Sequence, residues 1–404
     1  MMTKQVRVNR EVFGNGGNLL LCGNVMRLPP EIKALEGRVQ CVCVDPPFMT
    51  GEKFMRRRPL GEKGWKTGSP VIRLPAYEDR YTDEKQYLRL IRRVAGAARA
   101  LLADTGVFYL HLDWRMAAPA REICDKVFGK KRFLNEIVWC YESGGRARRY
   151  FSRKHDVILL YARSDRYFFD LTRVPLPRGS ERRNHMARGR DEQGRMFSSI
   201  VSHGKEYRYY DDEPLYPSDV WADISHLQQR DPERTGYATQ KPVRLLERML
   251  LPVTNPGDWV VDLCCGSGTA LQAAQNLDCR FAGLDLNPEA IAVSQARLKP
   301  DNLTVVCPCG DGAELLAEQD AESGRFVLRG IEAAHPAFPA GATPEDRLEA
   351  WETGTIEDGV FRVRQSFRRS FRYPALQMEL KADEPVEAVM TTDAAGVRRA
   401  YAIK

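Results

Sequence analysis

No run in the 404-residue chain approaches the roughly 18 consecutive apolar residues that a membrane-spanning helix requires. The opening residues, MMTKQVRVNREVFGNGG, also lack the apolar core of a secretory signal. Both absences point to the cytoplasm. A disulfide framework is missing too: the ten cysteines, at 22, 41, 43, 124, 140, 264, 265, 279, 307 and 309, are scattered mostly through apolar runs. Cys41/Cys43 and Cys307/Cys309 have C-x-C spacing, which puts both thiols of a pair on one face of a strand, whereas zinc sites use wider spacings around a turn. We expect buried reduced thiols and no metal. Neither sign of charge dominates, since 61 Lys and Arg stand against 54 Asp and Glu, a net charge of +7. That balance permits a polyanionic partner without requiring one, so local clusters matter more than the total.

What is present is an ordinary globular composition, 43% hydrophobic and 28% charged. A chain of this length buries a sizeable core and forms one large or two to three ordinary domains. Residues 18–26 read as a strand and a Gly23-Asn24 turn, and 39–44 as a buried strand. Residues 83–103 read as a helix capped by Thr82 or Asp83, with Leu88, Ile91, Val94, Ala98 and Leu101 at helical spacing. A strand at 107–112, a helix at 117–127 and strands at 136–141 and 157–161 follow. This alternation predicts an α/β fold, a doubly wound and mostly parallel sheet with helices on both faces.

The strand at 39–44 ends in Asp45, followed by Pro46, Pro47 and Phe48. Two prolines fix φ and offer no N–H, so the chain leaving the strand is stiff and points its carbonyls outward. A carboxylate and a carbonyl acceptor held beside a ring suit a planar ligand bearing an NH2 group. A Pro-rich turn with no further role is the plain alternative.

Four stretches concentrate positive charge. Between Met49 and Tyr81 lie Lys53, Arg56, Arg57, Arg58, Lys63 and Lys66 without a clear period, which reads as a long functional loop able to close over a polyanion. Residues 143–155 open with Ser143-Gly144-Gly145 and carry Arg146, Arg148, Arg149, Arg153 and Lys154 beside Tyr150 and Phe151, a set suited to phosphate contact and base stacking. From 172 to 218 the apolar period disappears and Arg182, Arg183, Arg188, Arg190 and Arg195 cluster. Such a segment is either a disordered insertion or a module that reads base edges. Residues 361–368 alternate, with Arg362, Arg364 and Arg368 on one face and Phe361, Val363 and Phe367 on the other, as in a half-buried strand whose arginine face fits a DNA backbone. For each stretch a merely solvated surface is the competing reading.

A second chemical centre follows the turn Asn255-Pro256-Gly257-Asp258. The buried strand Trp259-Val260-Val261 runs into Asp262-Leu263-Cys264-Cys265-Gly266-Ser267-Gly268-Thr269 and a helix at 270–276. Only Gly266 and Gly268 are present, not the Gly-x-Gly-x-x-Gly of dinucleotide binders. A glycine turn between strand and helix lets a ligand approach the backbone while helix N–H groups point at it. About twenty residues on, a strand at 280–284 ends at Asp285, placed to accept hydrogen bonds from ribose hydroxyls. Together these predict a nucleoside-containing cofactor.

The Asp45-Pro46-Pro47-Phe48 turn, the glycine turn, Gly283-Leu284-Asp285-Leu286-Asn287-Pro288 and Thr239-Gln240-Lys241-Pro242 resemble the amino-group DNA methyltransferases, and their order resembles the permuted β class. The stretches 111–115 and 153–161 are similar to that family's catalytic half, and the resemblance covers residues 18–310. It implies a Rossmann-like fold, S-adenosylmethionine as cofactor, double-stranded DNA as partner and a target-recognition region at 172–218. Asp45 and the Pro46 carbonyl would accept the two N–H bonds of the target amine, with Pro47 completing the stiff turn, and Phe48 would stack on a flipped-out base. Asp262, Cys264, Gly266, Ser267, Gly268 and Thr269 would line the cofactor, Asp285 would bind its ribose, and Thr239, Gln240 and Lys241 would fix its amino-acid end or neighbouring loops. The domain division implied is 1–171 for the catalytic half, 172–218 for target recognition, 219–315 for the cofactor half and 316–404 for a C-terminal extension with β structure. Adenine N6 is favoured over cytosine N4, because an aspartate in the motif leans towards adenine in this family. A homodimer and a restriction endonuclease partner are both compatible with the resemblance, as is association with the nucleoid through DNA.

Two positions depart from the family pattern. Gly23-Asn24 stands where Gly-Asp is often found, with Gly310-Asp311 as a substitute, and Phe48 replaces the commoner Tyr. Three other readings compete. A cytosine-C5 methyltransferase would use Pro308-Cys309 as its nucleophile, but no Glu-Asn-Val partner exists and Asp45–Phe48 would go unexplained. RNA and protein-glutamine amino methyltransferases usually begin the turn with Asn and are not permuted. A catalytically silent DNA-binding protein would retain the fold alone, whereas both ligand centres are present here.

Overall fold

Six consecutive buried residues, Val39–Val44, form the strand that ends at Asp45. Val42 and Val44 point into one apolar layer and Cys41 and Cys43 into another, so the strand lies inside a sheet covered on both faces. The computed structural model describes residues 3–403 apart from 9, 13–16, 52, 80, 82, 143–146, 177–185, 229–230, 238, 299–301, 308–312, 321–322, 334–336, 340, 370–372 and 383. In it, Val39–Val44 pairs in parallel with Leu102–Asp113 on one side and Trp259–Asp262 on the other. The parallel run continues through Arg280–Asp285, Asn18–Cys22 and Leu303–Val306. Beyond Leu102–Asp113 lies antiparallel His155–Ala162, then Phe133–Cys140 and the short Val220–Trp221.

Helices Glu84–Leu101 and Ala117–Phe128 cover one face, where Tyr87, Ile91, Val94 and Ile123 meet Val42, Phe108 and Leu110. The first is capped as expected, with the Asp83 side chain accepting from the Gln86 N–H. Helices Val243–Leu250, Thr269–Asn276 and Pro288–Leu298 cover the other face through Leu245, Met249, Leu271 and Ile291. The doubly wound, mostly parallel sheet read from the sequence is therefore the observed core. The described cysteines are all free thiols.

Three expectations need correction. Residues 49–81 are not a structureless loop: Lys53–Pro59 and Val71–Glu78 form an antiparallel hairpin that encloses the short helix Gly61–Thr67. The strand signal was masked because Arg58 points inward, 3% exposed, where an apolar residue is the usual occupant. Residues 172–218 are not merely unpatterned, since Ala187–Arg190, Met196–Ser202 and Lys205–Tyr210 form a three-stranded antiparallel sheet. Finally, the division at 171 and 316 cuts across the topology. Arg10–Val12 pairs with Leu303–Val306 and with Val360–Arg368, and Thr3–Val6 pairs with Arg398–Ile403, so the first strands belong to the C-terminal sheet. Leu348–Glu357 and Ala388–Asp393 complete a continuous fifteen-stranded sheet. A second sheet, Ala313–Asp320, Arg325–Ala333 and Glu379–Lys381, packs on it through Leu315, Phe326, Leu328, Trp351 and Tyr401.

Candidate active site

Four adjacent parallel strands deliver their C-terminal ends to one cavity of about 760 Å³: 18–22 brings Gly23, 39–44 brings Asp45, 259–262 brings Asp262 and 280–285 brings Asp285. The carboxyl ends of an open α/β sheet are where ligands bind, because helix N-termini and connecting loops converge there. Pro46, Pro47, Phe48, Thr239, Gln240, Lys241, Cys264, Gly266, Ser267 and Thr269 also line it. Motifs separated by two hundred residues thus share one chamber.

The turn after Asp45 is held by a residue the sequence did not reveal. Buried Asp79 accepts from the N–H groups of Phe48, Met49 and Thr50 at 3.2, 2.7 and 2.9 Å, and from the Thr50 hydroxyl at 2.7 Å. Those bonds hold Met49 at φ +58°, a conformation that costs a side-chain-bearing residue energy and is kept only where surroundings enforce it. Phe48 lies 5.9 Å, ring centre to ring centre, from His111, whose Nε2 is 2.9 Å from Asp156 Oδ2. The Tyr141 hydroxyl donates to the other Asp156 oxygen at 2.8 Å. Burial pushes the Asp156 carboxyl up, but its bonds to His111 and Tyr141 outweigh that and hold it below the ordinary range. His111 and Asp156 lie within stretches similar to the family's catalytic half, yet nothing local to them signals their mutual contact.

Asp45 itself is asymmetric. Lys241 Nζ donates to Oδ2 at 2.7 Å, while Oδ1 is buried without a hydrogen-bond partner. The same ammonium sits 4.8 Å from the centre of the Phe48 ring. Lys241, expected beside a cofactor's amino-acid end or a neighbouring loop, lines the first cavity and contacts this carboxylate. Gln240 does brace a loop: its Oε1 accepts from Thr235 N–H at 2.9 Å and its Nε2 donates to the Glu233 carbonyl at 2.9 Å. Glu233 in turn pairs with Arg297 at 3.0 Å, tying that loop to the helix after Asp285.

In the glycine turn both glycines have positive φ, +49° at Gly266 and +73° at Gly268. A side chain at 268 would come within 2.7 Å of Ser294 Oγ, so Gly268 permits helix packing and does not line the cavity. Asp285 accepts from Gly266 N–H at 2.8 Å and Asn287 N–H at 2.9 Å, so it braces the turn as well as facing the cavity. Burial raises both Asp285 and Asp262, the latter to about 8.

A second cavity, about 700 Å³, shares Phe48, Thr239, Gln240 and Lys241 with the first, and is walled further by Asp113, Trp139, Tyr141 and Asp156. Arg153 and Lys154 stand at its rim, with the Arg153 guanidinium 3.8 Å over the Trp114 ring. Arg148 and Arg149 are exposed nearby, and Arg146, Arg182 and Arg183 lie outside the described residues. Arg190 is exposed on the three-stranded sheet. The remaining arginines offered as DNA contacts face carboxylates: Arg188 meets Asp211, Arg362 meets Glu357 and Arg364 meets Glu387. Arg368 does not share a solvated face with them. A bulge opposite Thr353/Gly354 shifts the register, and Arg368 turns to Glu349 in a largely buried network.

A doubly wound sheet whose cavity opens at four parallel strand ends, beside a glycine turn braced by an acidic residue, is the Rossmann-like methyltransferase fold. The chain belongs to the DNA methylase family, whose model matches residues 39–296, and residues 260–335 match a methyltransferase domain. Type II methyltransferase M.EcaI of Enterobacter cloacae is 25% identical over 305 residues, 62% of this chain and 63% of that protein, so the chain spans less than two thirds of its length. DNA adenine methyltransferase YhdJ of Escherichia coli (strain K12) is 25% identical over 292 residues, 71% of this chain and 84% of that one. Among solved structures, the PvuII DNA methyltransferase (cytosine-N4-specific) has a TM-score of 0.45 and 15% identity, covering 71% of this chain and 89% of that one. S-adenosylmethionine is the methyl donor of this family, and the first cavity fits it. It is of nucleoside size, and its lining carries acidic and basic groups together, Asp45 and Asp285 beside Arg89 and Lys241.

Proposed function

We propose that this chain is a site-specific DNA methyltransferase that modifies the exocyclic N6 amine of an adenine flipped out of the duplex. The observation that carries the reading is the buried, unpartnered Oδ1 of Asp45, which opens on the same cavity as the glycine turn. A buried acceptor without a donor is costly, and a ligand that brings an N–H removes the cost. The amine would donate one N–H to Asp45 Oδ1 and the other to the Pro46 carbonyl. Held so, its lone pair is drawn out of conjugation with the ring and becomes nucleophilic. Phe48, fixed by Asp79 through the backbone, would support the base from one face. Asp45 acts as an acceptor that orients the amine, and the surplus proton passes to water after transfer.

S-adenosylmethionine supplies a methyl group already activated on a sulfonium, so positioning is the main task left to the protein. Asp262, Cys264, Gly266, Ser267 and Thr269 would hold it, with Asp285 towards its ribose. Two considerations favour adenine over cytosine: the aspartate that opens the motif, and the similarity to a relative named as a DNA adenine methyltransferase. Relatives named as Type II methyltransferases make a restriction endonuclease partner part of the reading; a homodimer is the assembly it leaves open. The three-stranded sheet at 187–210 is the candidate reader of sequence. The test is incubation with unmethylated DNA and S-adenosylmethionine, followed by mass spectrometry of the nucleosides and sequencing of their context. We expect N6-methyladenine with the wild-type chain and none with Asp45→Ala. N4-methylcytosine instead would transfer the reading to the other amine, and 5-methylcytosine alone would overturn it.

A further inference from the structure

Strands Phe133–Cys140 and His155–Ala162 are joined by a loop whose described part is anchored twice. The Tyr141 N–H donates to the Lys154 carbonyl at 3.0 Å, and the Ala147 N–H donates to Ser152 Oγ at 3.1 Å. Tyr150 and Ser152 line the second cavity, whereas Phe151 between them does not, and its ring is 98% exposed. One exposed ring is ordinary on a protein surface, but Phe151 and its neighbour Tyr150 stand exposed together beside a functional cavity, which suits a partner that covers them. Charge indicates what that is. Arg148 and Arg149 are exposed and enter no ion pair among the described residues, and Arg153 rests on Trp114 and Tyr150 instead of on a carboxylate. The arginines at 188, 195, 362 and 364, by contrast, are neutralised by acidic neighbours. Unpaired cations beside an unburied ring match the phosphates that border an opened base stack.

We propose that Phe151 is a wedge: its ring enters the duplex and fills the gap left by the flipped base, while Arg148 and Arg149 hold the adjoining phosphates. The inference rests on the methyltransferase reading above. A base that enters through the second cavity reaches Phe48, which both cavities share, and beyond it Asp45 in the first, while Tyr150 and Ser152 of the loop that carries Phe151 line that entrance. The ring then replaces the lost stacking and slows the return of the base.

The test uses the full chain and a duplex bearing its mapped methylation site, either fully paired or with an abasic position opposite the target, where no pairing holds the base inside. We expect Phe151→Ala to slow methylation of the paired duplex roughly tenfold or more, and to come within about threefold of wild type on the abasic-opposed duplex. It should also lose the fluorescence rise of 2-aminopurine placed at the target position, which needs no methyl transfer to be read. Phe151→Trp should retain both properties. Equal losses on the two duplexes, or no loss on either, overturn the wedge while methyl transfer by the wild-type chain stands. A wild-type chain that methylates neither duplex overturns the reading of the site, and the wedge with it.

Discussion

Lys241 reaches Asp45 across 196 residues of sequence, and it fixes one carboxylate oxygen while the other has no hydrogen-bond partner. Removing the ammonium would leave a largely enclosed carboxylate without its counter-charge, which is costlier than never having formed the pair. Lys241→Met should therefore cut methyl transfer by about a hundredfold, with S-adenosylmethionine affinity by calorimetry changed less than about threefold. A matching loss of cofactor affinity would assign Lys241 to the cofactor instead. Asp262 makes a different prediction. Burial raises its carboxyl to about 8 in the folded chain, against about 3.9 for a free aspartate. The folded state thus holds a proton that the unfolded state releases, so this contribution to stability is complete below the unfolded value and is lost as pH rises through the folded one. Denaturant titrations between roughly pH 4 and pH 8 should show wild-type stability declining more steeply than that of Asp262→Asn, which stays neutral throughout. Parallel declines in the two proteins would refute the assignment.

Among the elements, the 53–78 hairpin joins three parts of the molecule. Its Arg58 lies between Glu289 of the helix after Asp285, at 3.1 Å, and Glu349 of the C-terminal sheet, at 2.6 Å, all three buried. Leu60, Ile72 and Leu74 of the hairpin region pack on Ala342 and Ala394. Arg58→Met removes a buried cation from between two buried carboxylates and should lower unfolding free energy by about 3–5 kcal/mol; a change below about 1 kcal/mol in a urea titration would show the network to be dispensable. The hairpin leads directly into Asp79, so its docking also sets the Phe48 turn. None of this was legible in the sequence. The strand ending at Asp45, the glycine turn and Asp285 could be read because each is a local signal: an apolar run, a turn residue, a carboxylate at a strand end. Asp79 carries no such signal, and the motif that singles out Lys241 does not show its contact with Asp45, since both depend on partners that only the folded chain brings near. Arg58 actively misled, because an inward arginine breaks the alternation that marks a strand.

At the scale of the whole molecule, the C-terminal sheet is continuous with the catalytic sheet and not an appendage to it. Arg398 pairs with buried Glu11 and hydrogen-bonds Gln295 of a cofactor-side helix. A chain ended at residue 312 would take Arg398 away from Glu11 and Gln295, remove the partner of strand Thr3–Val6 and leave Arg10–Val12 paired only with Leu303–Val306. We expect it to be insoluble or to lack a cooperative thermal transition, whereas the full chain should unfold in a single step by circular dichroism. A soluble, cooperatively folding fragment would establish the C-terminal region as an independent domain.

The pairing of Thr3 with Ile403 has one more consequence. Because the first and last described strands lie side by side, a short linker could join them, and the chain could be reopened in the surface segment 231–236 that separates the two halves. The polypeptide would then begin with the glycine turn and meet Asp45-Pro46-Pro47-Phe48 afterwards, with every strand still beside its present neighbours. Circular permutation of this kind would reverse the order of the two motifs along the chain while leaving the cavity they build unchanged.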